Sequence, residues 1–400
     1  MKRILFLSNR GLVPIKDGHT RRSFNILKGL AQDNEVYFLS LYERPEEIKN
    51  DNIKIYENLC VGVEFFKSPL KRFSISMFWR FLASLFSVET YTSWRHYSFE
   101  FNKRVNEILS IREFDLVHCD ILPIYYTIHN RKDVFRSVTD HDVSYLKCYR
   151  MARNTPNIFL KSFLYYEGIK LKRMEKNIFR SVDLGIVVSE TDKQALVKIC
   201  PEGNFLVIEN GIDVDLFQPF NGTISVGKLL WLGGFSHYPN IEGIKFFLRY
   251  VYPLVKRFAP YVSIDIVGDN VTEDLRQFAK MDPHICFTGF VEDPLPYLNS
   301  AEIFVAPIMS GGGTKLKVLE AMAAGKAIVT TSIGCEGIEG IPGVHYLVAD
   351  NEEGFAEAIL LLLNNKELRH KIERSAHQLI VSKYNIEDIA EKLSDYYNRI

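Results

Sequence analysis

Short apolar runs alternate with stretches of helical periodicity along almost the whole of this 400-residue chain. That alternation constrains the fold more than any other feature, because runs of this length fit strands buried on both faces and the helical stretches between them fit crossovers. The result is a succession of βαβ units and mainly parallel sheets. In the first half the strands are predicted at Arg3 to Ser8, Glu35 to Leu41, Asp115 to Cys119, Ser137 to Asp140, Leu184 to Val188 and Phe205 to Glu209. In the second half they are predicted at Lys228 to Leu232, Ser263 to Val267, Ile285 to Thr288, Ile303 to Ala306, Ala327 to Thr330 and Tyr346 to Val348. Two such sets imply an α/β chain of two Rossmann-like, doubly wound domains. The length agrees, since 400 residues exceed what one hydrophobic core ordinarily supports. The seam is expected between Asp213 and Val226, where proline, glycine and polar residues precede a new strand, giving domains of 1–217 and 218–384. Residues 385–400 form a last helix, Ile386 to Arg399, that follows a completed sheet and needs a surface to pack on.

Charge and cysteine usage exclude several classes. Lysine plus arginine equals aspartate plus glutamate at 49 each, which gives no support to nucleic-acid binding driven by net charge. The six cysteines are scattered, with no C-x-x-C pair and no histidine at metal-ligand spacing, so reduced thiols and no structural metal are expected. The apolar stretch Ile4 to Leu7 is too short for the core of a signal peptide, and no apolar run approaches the ~20 residues that cross a bilayer. A cytoplasmic protein, soluble or peripheral on a membrane, is the expectation.

Residues Ala301 to Gly337 read as strand, glycine loop, helix and strand. Gly311, Gly312 and Gly313 clear a loop of side chains, Thr314 follows, and the helix-forming KLKVLEAMAA begins directly after it. A helix start presents unpaired N–H groups that suit a phosphate, and Lys315 and Lys317 add full charges. Glu320 lies too far along the helix for the same phosphate but can accept hydrogen bonds from ribose hydroxyls. Gly233 and Gly234 after the first strand of the second half, and Gly268 after the next strand, likewise allow a backbone to approach a ligand.

The first half offers two further stretches. After the first strand, Gly18 stands in a loop before a helix start near Thr20, a plausible cap, with His19, Arg21 and Arg22 close by; either an anion or sugar site or an ordinary βα loop fits. No G-x-G-x-x-G follows a strand, which disfavours a dinucleotide cofactor. Asp140, His141 and Asp142 stack at a strand's carboxyl end, where two carboxylates flanking an imidazole raise its basicity, although one of them can instead cap the next helix. Two basic stretches remain. Lys67 to Ser87 interleaves Lys71, Arg72 and Arg80 with Phe73, Phe78 and Trp79 and fits either an anionic membrane surface or a core helix. Lys161 to Arg180 reads as a basic, solvated helix face.

Together GGGTKLKVLEAMAAGKAIVTTSIGCEG, ENGIDVDLF and the early glycine loop resemble the retaining glycosyltransferases of the GT-B fold, in particular glycosyltransferase family 4, over nearly the whole chain. The resemblance implies two Rossmann-like domains facing across a cleft, with the last helix crossing back to the first domain. It implies a retaining, metal-independent hexosyltransferase without a cofactor, moving a sugar from a nucleotide-diphosphate sugar to a polysaccharide, glycolipid or other glycan precursor. Glu320 matches the second glutamate of the family's E-x7-E motif, whereas Gly312 stands where the first belongs. Gly18 matches the loop that approaches the donor phosphate, and His141 resembles the histidine beside the transferred sugar. Donor binding is therefore expected of Gly18, Gly233, Gly234, Gly268, Gly311 to Gly313, Thr314, Lys315, Lys317 and Glu320. Acceptor binding falls to His19, Arg21 and Arg22, and catalysis to His141, Asp140 and Asp142. A nucleotide-sugar epimerase of similar shape, or a non-catalytic partner subunit, are the alternatives.

Overall fold

The computed structural model describes residues 1–15, 17–69, 75–220 and 222–400, with only the backbone of Ile75 to Phe78. The chain forms two compact units, one of Met1–Asn210 with Glu387–Ile400, the other of Gly211–Ile386. The boundary thus falls ahead of the proline-containing stretch that suggested 217/218. Among the described residues no helix is long and apolar enough to cross a membrane.

The first unit is built on a seven-stranded sheet of order β3-β2-β1-β4-β5-β6-β7. Its strands are β1 (Arg3–Ser8), β2 (Glu35–Tyr42), β3 (Gly62–Lys67), β4 (Leu116–Cys119), β5 (Phe135–Asp140), β6 (Leu184–Val187) and β7 (Phe205–Val207). The second carries a six-stranded sheet of order β10-β9-β8-β11-β12-β13. Its strands are β8 (Lys228–Leu232), β9 (Ser263–Val267), β10 (Ile285–Gly289), β11 (Ile303–Ala306), β12 (Ala327–Thr330) and β13 (Leu347–Val348). Neighbours in both sheets pair in parallel. The central strands are buried on both faces, as the unbroken apolar runs require; β4, β6, β11 and β12 are buried at every position. The sequence did not reveal β3, GVEFFK, an edge strand that pairs only with β2 and is nowhere fully buried.

In each sheet the chain winds outward from one central strand, then returns and winds the other way. The strand order reverses between β1 and β4 in the first unit and between β8 and β11 in the second. Loops leaving the carboxyl ends of those strands diverge to opposite sides of the sheet, and the crevice they leave is where ligands bind in open α/β folds.

The terminal helix, Ile386–Arg399, packs on the first unit through Ile389, Leu393 and Tyr397, which join a core containing Ile4, Phe6, Ile26, Leu27 and Phe38. Tyr397 is fully buried; its hydroxyl lies 2.7 Å from Nδ1 of His118 on β4 and 2.5 Å from the hydroxyl of Ser137 on β5. Burial pushes the His118 imidazole down to about 4, so it is neutral at pH 7 and can share this hydroxyl without an imidazolium charge. Within the second unit, the N–H of Ile212 donates to Tyr384 and that of Ile386 to Ile212, tying the first residues of that unit to its last. Replacing Tyr397 with Phe leaves His118 and Ser137 without this partner and should lower the free energy of unfolding by about 1–3 kcal/mol, read from urea denaturation.

Candidate functional site

In the first unit, three side chains meet at the β1/β4 reversal. The helix after β1, Gly18–Asp33, starts with a reciprocal cap in which Oδ1 of Asp17 accepts from the Thr20 N–H (2.8 Å) and Oγ1 of Thr20 accepts from the Asp17 N–H (3.1 Å). The cap is therefore Asp17, and Thr20 is its partner rather than the cap itself. This fixes His19 on the first turn. Asp120 follows β4, and His141 follows β5.

Asp120 is 2% exposed, with Nε2 of His19 3.6 Å from one carboxylate oxygen and Nε2 of His141 3.5 Å from the other. His141 Nε2 donates to the main-chain oxygen of Asp120 at 2.6 Å, which sets its tautomer. The two imidazole rings lie against each other, with centroids 4.1 Å apart. Burial, and then the neighbouring His141, push His19 down to about 4, while Asp120 pulls weakly the other way. Burial alone would raise Asp120, but the two imidazoles outweigh it and hold the carboxyl well below the usual range. The pocket thus combines an ionised carboxylate with a neutral His19. Among the described residues these three are the one group of His, Cys, Asp or Glu with ligand atoms close enough to hold an ion. The Nε2 of His141, however, is already committed as a donor to a carbonyl oxygen, so the arrangement as it stands is a hydrogen-bonded imidazole and not a preformed three-ligand site.

Asp140 and Asp142 do not flank that imidazole as carboxylate partners. Asp142 pairs with Lys147 at 2.6 Å. Asp140 is 4% exposed; burial and then the carboxylates of Glu175, Asp142 and Asp192 push its pKa well up. Glu175 is itself pushed up to about 8 by burial, although the N–H groups of Tyr145 and Ser144 at the next helix start partly offset this. Asp140 at neutral pH is therefore a buried acid beside other acids, unsuited to raising the basicity of His141. The residue that holds His141 is Asp120, which sequence reasoning missed. Its one signal is an aspartate placed directly after a buried strand.

Arg22 also differs from expectation. It is 3% exposed, and its guanidinium donates to the carbonyls of Ile208 (2.7 Å) and Glu209 and to the side chain of Asn210 (3.1 Å). Its donors hold the last residues of the first unit and are not offered to an acceptor substrate. Gly18 is the first residue of its helix, and Arg21 lies half-buried on the same turn.

The second unit repeats the geometry at the β8/β11 reversal. A Cβ on Gly268 would stand 2.0 Å from the carbonyl oxygen of Gly233, so the loops after β8 and β9 touch backbone to backbone. Asn240 bridges from there, donating to the Gly234 carbonyl at 2.8 Å and accepting from Nζ of Lys317 at 2.8 Å. The Lys317 ammonium also sits 4.9 Å from the centroid of the Trp231 ring. Burial, and then the charge of Lys315, push Lys317 down to about 7, with Glu320 opposing them. Lys317 belongs to the helix Leu316–Ala323, whose cap position is Lys315. The Lys315 ammonium turns back onto the carbonyls of Gly312 (3.0 Å) and Gly313 and so braces the glycine loop. Gly311 and Gly313 both hold left-handed backbone, with φ of 118° and 64°, on either side of Gly312. Thr314 is buried, its hydroxyl 3.4 Å from the Gly337 carbonyl, and Glu320 is half-buried one turn past Leu316.

The strand, glycine loop and helix start lie within the stretch that a known family's model matches. Residues 227–365 match the family model of glycosyl transferases group 1. An uncharacterised 44.6 kDa protein of the cps region of Klebsiella pneumoniae is 25% identical over 295 residues, 70% of this chain and 74% of that one. The phosphatidyl-myo-inositol mannosyltransferase of Mycobacterium tuberculosis is 28% identical over 252 residues, 59% of this chain and 63% of that one. In fold, the chain is similar to Anabaena HepE, crystallised with UDP and glucose, with a TM-score of 0.69, 15% identity and full coverage of both chains. These similarities support a glycosyltransferase of GT-B architecture.

Gly268 is the tightest point of the second cluster. Gly268→Ala should push the Gly233 loop away and lower stability by about 1–3 kcal/mol, measured by denaturant unfolding.

Proposed function

We propose that this protein transfers a sugar from a nucleotide-diphosphate sugar to a hydroxyl of a glycan or lipid-linked acceptor, with retention at the sugar carbon and without a metal. The observation that carries the reading is Lys317: a half-buried ammonium, pushed down to about 7 and held through Asn240 against the glycine loops where the strand order reverses. An isolated cation in such a place is costly, and a diphosphate is the partner that would offset the cost. The group 1 match over this stretch supports a nucleotide-sugar donor, as does the binding of UDP and glucose by the similarly folded HepE. The similarity to a phosphatidyl-myo-inositol mannosyltransferase supports a lipid acceptor.

In this reading the sugar–phosphate bond breaks, the acceptor oxygen bonds to the same sugar carbon, and the acceptor proton passes to the departing phosphate oxygen. Negative charge grows on the diphosphate as the bond breaks. Lys317, the N–H groups at the start of the helix Leu316–Ala323 and the bare glycine loop are fixed in place to meet it. Glu320 holds the donor ribose. With Gly312 where the family's first glutamate stands, the backbone of Gly311 to Thr314 reads the sugar hydroxyls instead. On the acceptor side, His141, held by Asp120, and His19 contact the acceptor.

Lys317→Ala and Glu320→Ala should each reduce turnover about 10²- to 10³-fold while leaving activity insensitive to EDTA. Full activity in both variants would remove the donor assignment.

The pH dependence has a defined sign. The ammonium of Lys317 loses its proton near pH 7 in the empty site, and a bound diphosphate favours the charged form and raises its pKa. Below pH 7 the charge is already present and affinity is full; above it, binding must take up a proton, and affinity falls by up to about tenfold per pH unit. Calorimetry of a UDP-sugar in buffers of different ionisation enthalpy should show proton uptake at about pH 8.5 and none at about pH 6. Lys317→Arg, charged throughout, should abolish the difference.

A further inference from the structure

We propose that the outward face of the helix Ile158–Ser181 docks on an anionic lipid bilayer. This helix divides its exposed residues by chemistry. Its first turns present Ile158 (65% exposed), Phe159 (84%), Tyr165, Tyr166 and Ile169, and its later turns present Lys172, Arg173 and Lys176. Both of its glutamates, Glu167 and Glu175, point inward and are buried, so the outward face carries no carboxylate. In a chain whose positive and negative residues are equal in number, that segregation is a local feature and not a reflection of net charge.

The apolar part does not end with this helix. Tyr166 donates through its hydroxyl to the carbonyl of Leu85 (3.0 Å), and Lys170 donates to those of Ser84 (2.9 Å) and Glu89 (3.0 Å). These bonds fix beside it the segment that bears Phe86 (91% exposed) and Val88. Large apolar side chains left this open, beside the cationic later turns of the helix, suit the boundary between acyl chains and headgroups, where phenyl rings enter the interface and basic side chains meet lipid phosphates.

The surface overlaps the one expected at Lys67 to Ser87 through Phe86, and Trp79 of that stretch is also exposed. Lys71, Arg72 and Phe73 and the side chain of Phe78 lie outside the described residues, and Arg80 is spent within the protein, donating to the carbonyls of Trp94 (2.6 Å) and Tyr97 (3.1 Å). Lys161 to Arg180, expected to be a solvated face, provides the basic part of the surface.

The inference is independent of the transfer reaction and is tested without it, by flotation of the full chain with phosphatidylcholine vesicles that contain or lack phosphatidylglycerol. Wild-type protein should float with the anionic vesicles only, and less at high salt. Lys172→Gln, Arg173→Gln and Lys176→Gln should weaken binding roughly fivefold per residue, and Phe86→Ser with Phe159→Ser should abolish it. All these side chains are exposed, so an unchanged thermal unfolding curve will show that the variants remain folded. Equal flotation with neutral vesicles, no flotation, or wild-type flotation of both variants would overturn the proposal. So would sedimentation showing a dimer that disperses in the phenylalanine variant, since a second copy would then cover the face.

Discussion

Two reversals of strand order organise the molecule. A parallel sheet must carry its crossovers on both faces, and the chain can do so only by starting in the middle and winding outward twice. At the starting strand, successive crossovers leave toward opposite faces of the sheet. In the first unit this brings residues after β1, β4 and β5 together although more than a hundred positions separate His19 from Asp120 and His141. In the second it sets the loop after β8 against the loop and helix that follow β11.

What fills each opening follows from what burial does to charge. Asp120 remains ionised in a buried place because two imidazoles face it. Lys317 has no full counter-charge of equal strength, and its ammonium is therefore poised between its two forms. The contrast separates a carboxylate held in its charged form by its neighbours from an ammonium pushed toward its neutral form. Asp140 and Glu175 are a third outcome: burial pushes both carboxyls up, while the nearby Lys147 is paired with Asp142.

Much of this was legible in the sequence, and the boundary of legibility is physical. β8, β11 and β12 coincide with their predicted spans because unbroken apolar runs are what a strand covered on both faces requires. β3 escaped because an edge strand is half-solvated and shows no such run. Lys315, Lys317 and the glycine loop were legible as one cluster because they are neighbours in sequence. Asp120 and the true role of Arg22 were not, because their partners come from distant strands and loops: His19 and His141 for one, Ile208 to Asn210 for the other. The stacked Asp140, His141 and Asp142 misled for the opposite reason. Successive residues leaving a strand point in different directions, so adjacency along the chain did not place the three side chains around one proton.

The terminal helix also sets an order of events during synthesis. Glu387–Ile400 belongs to the first unit, yet the ribosome makes it after the whole of the second. The unit that begins the chain must wait with the space around His118 and Ser137 unfilled until Tyr397 emerges, while the unit encoded between has all its residues first. The second unit is therefore the one able to complete its core earlier, which reverses the usual N-to-C sequence of domain folding.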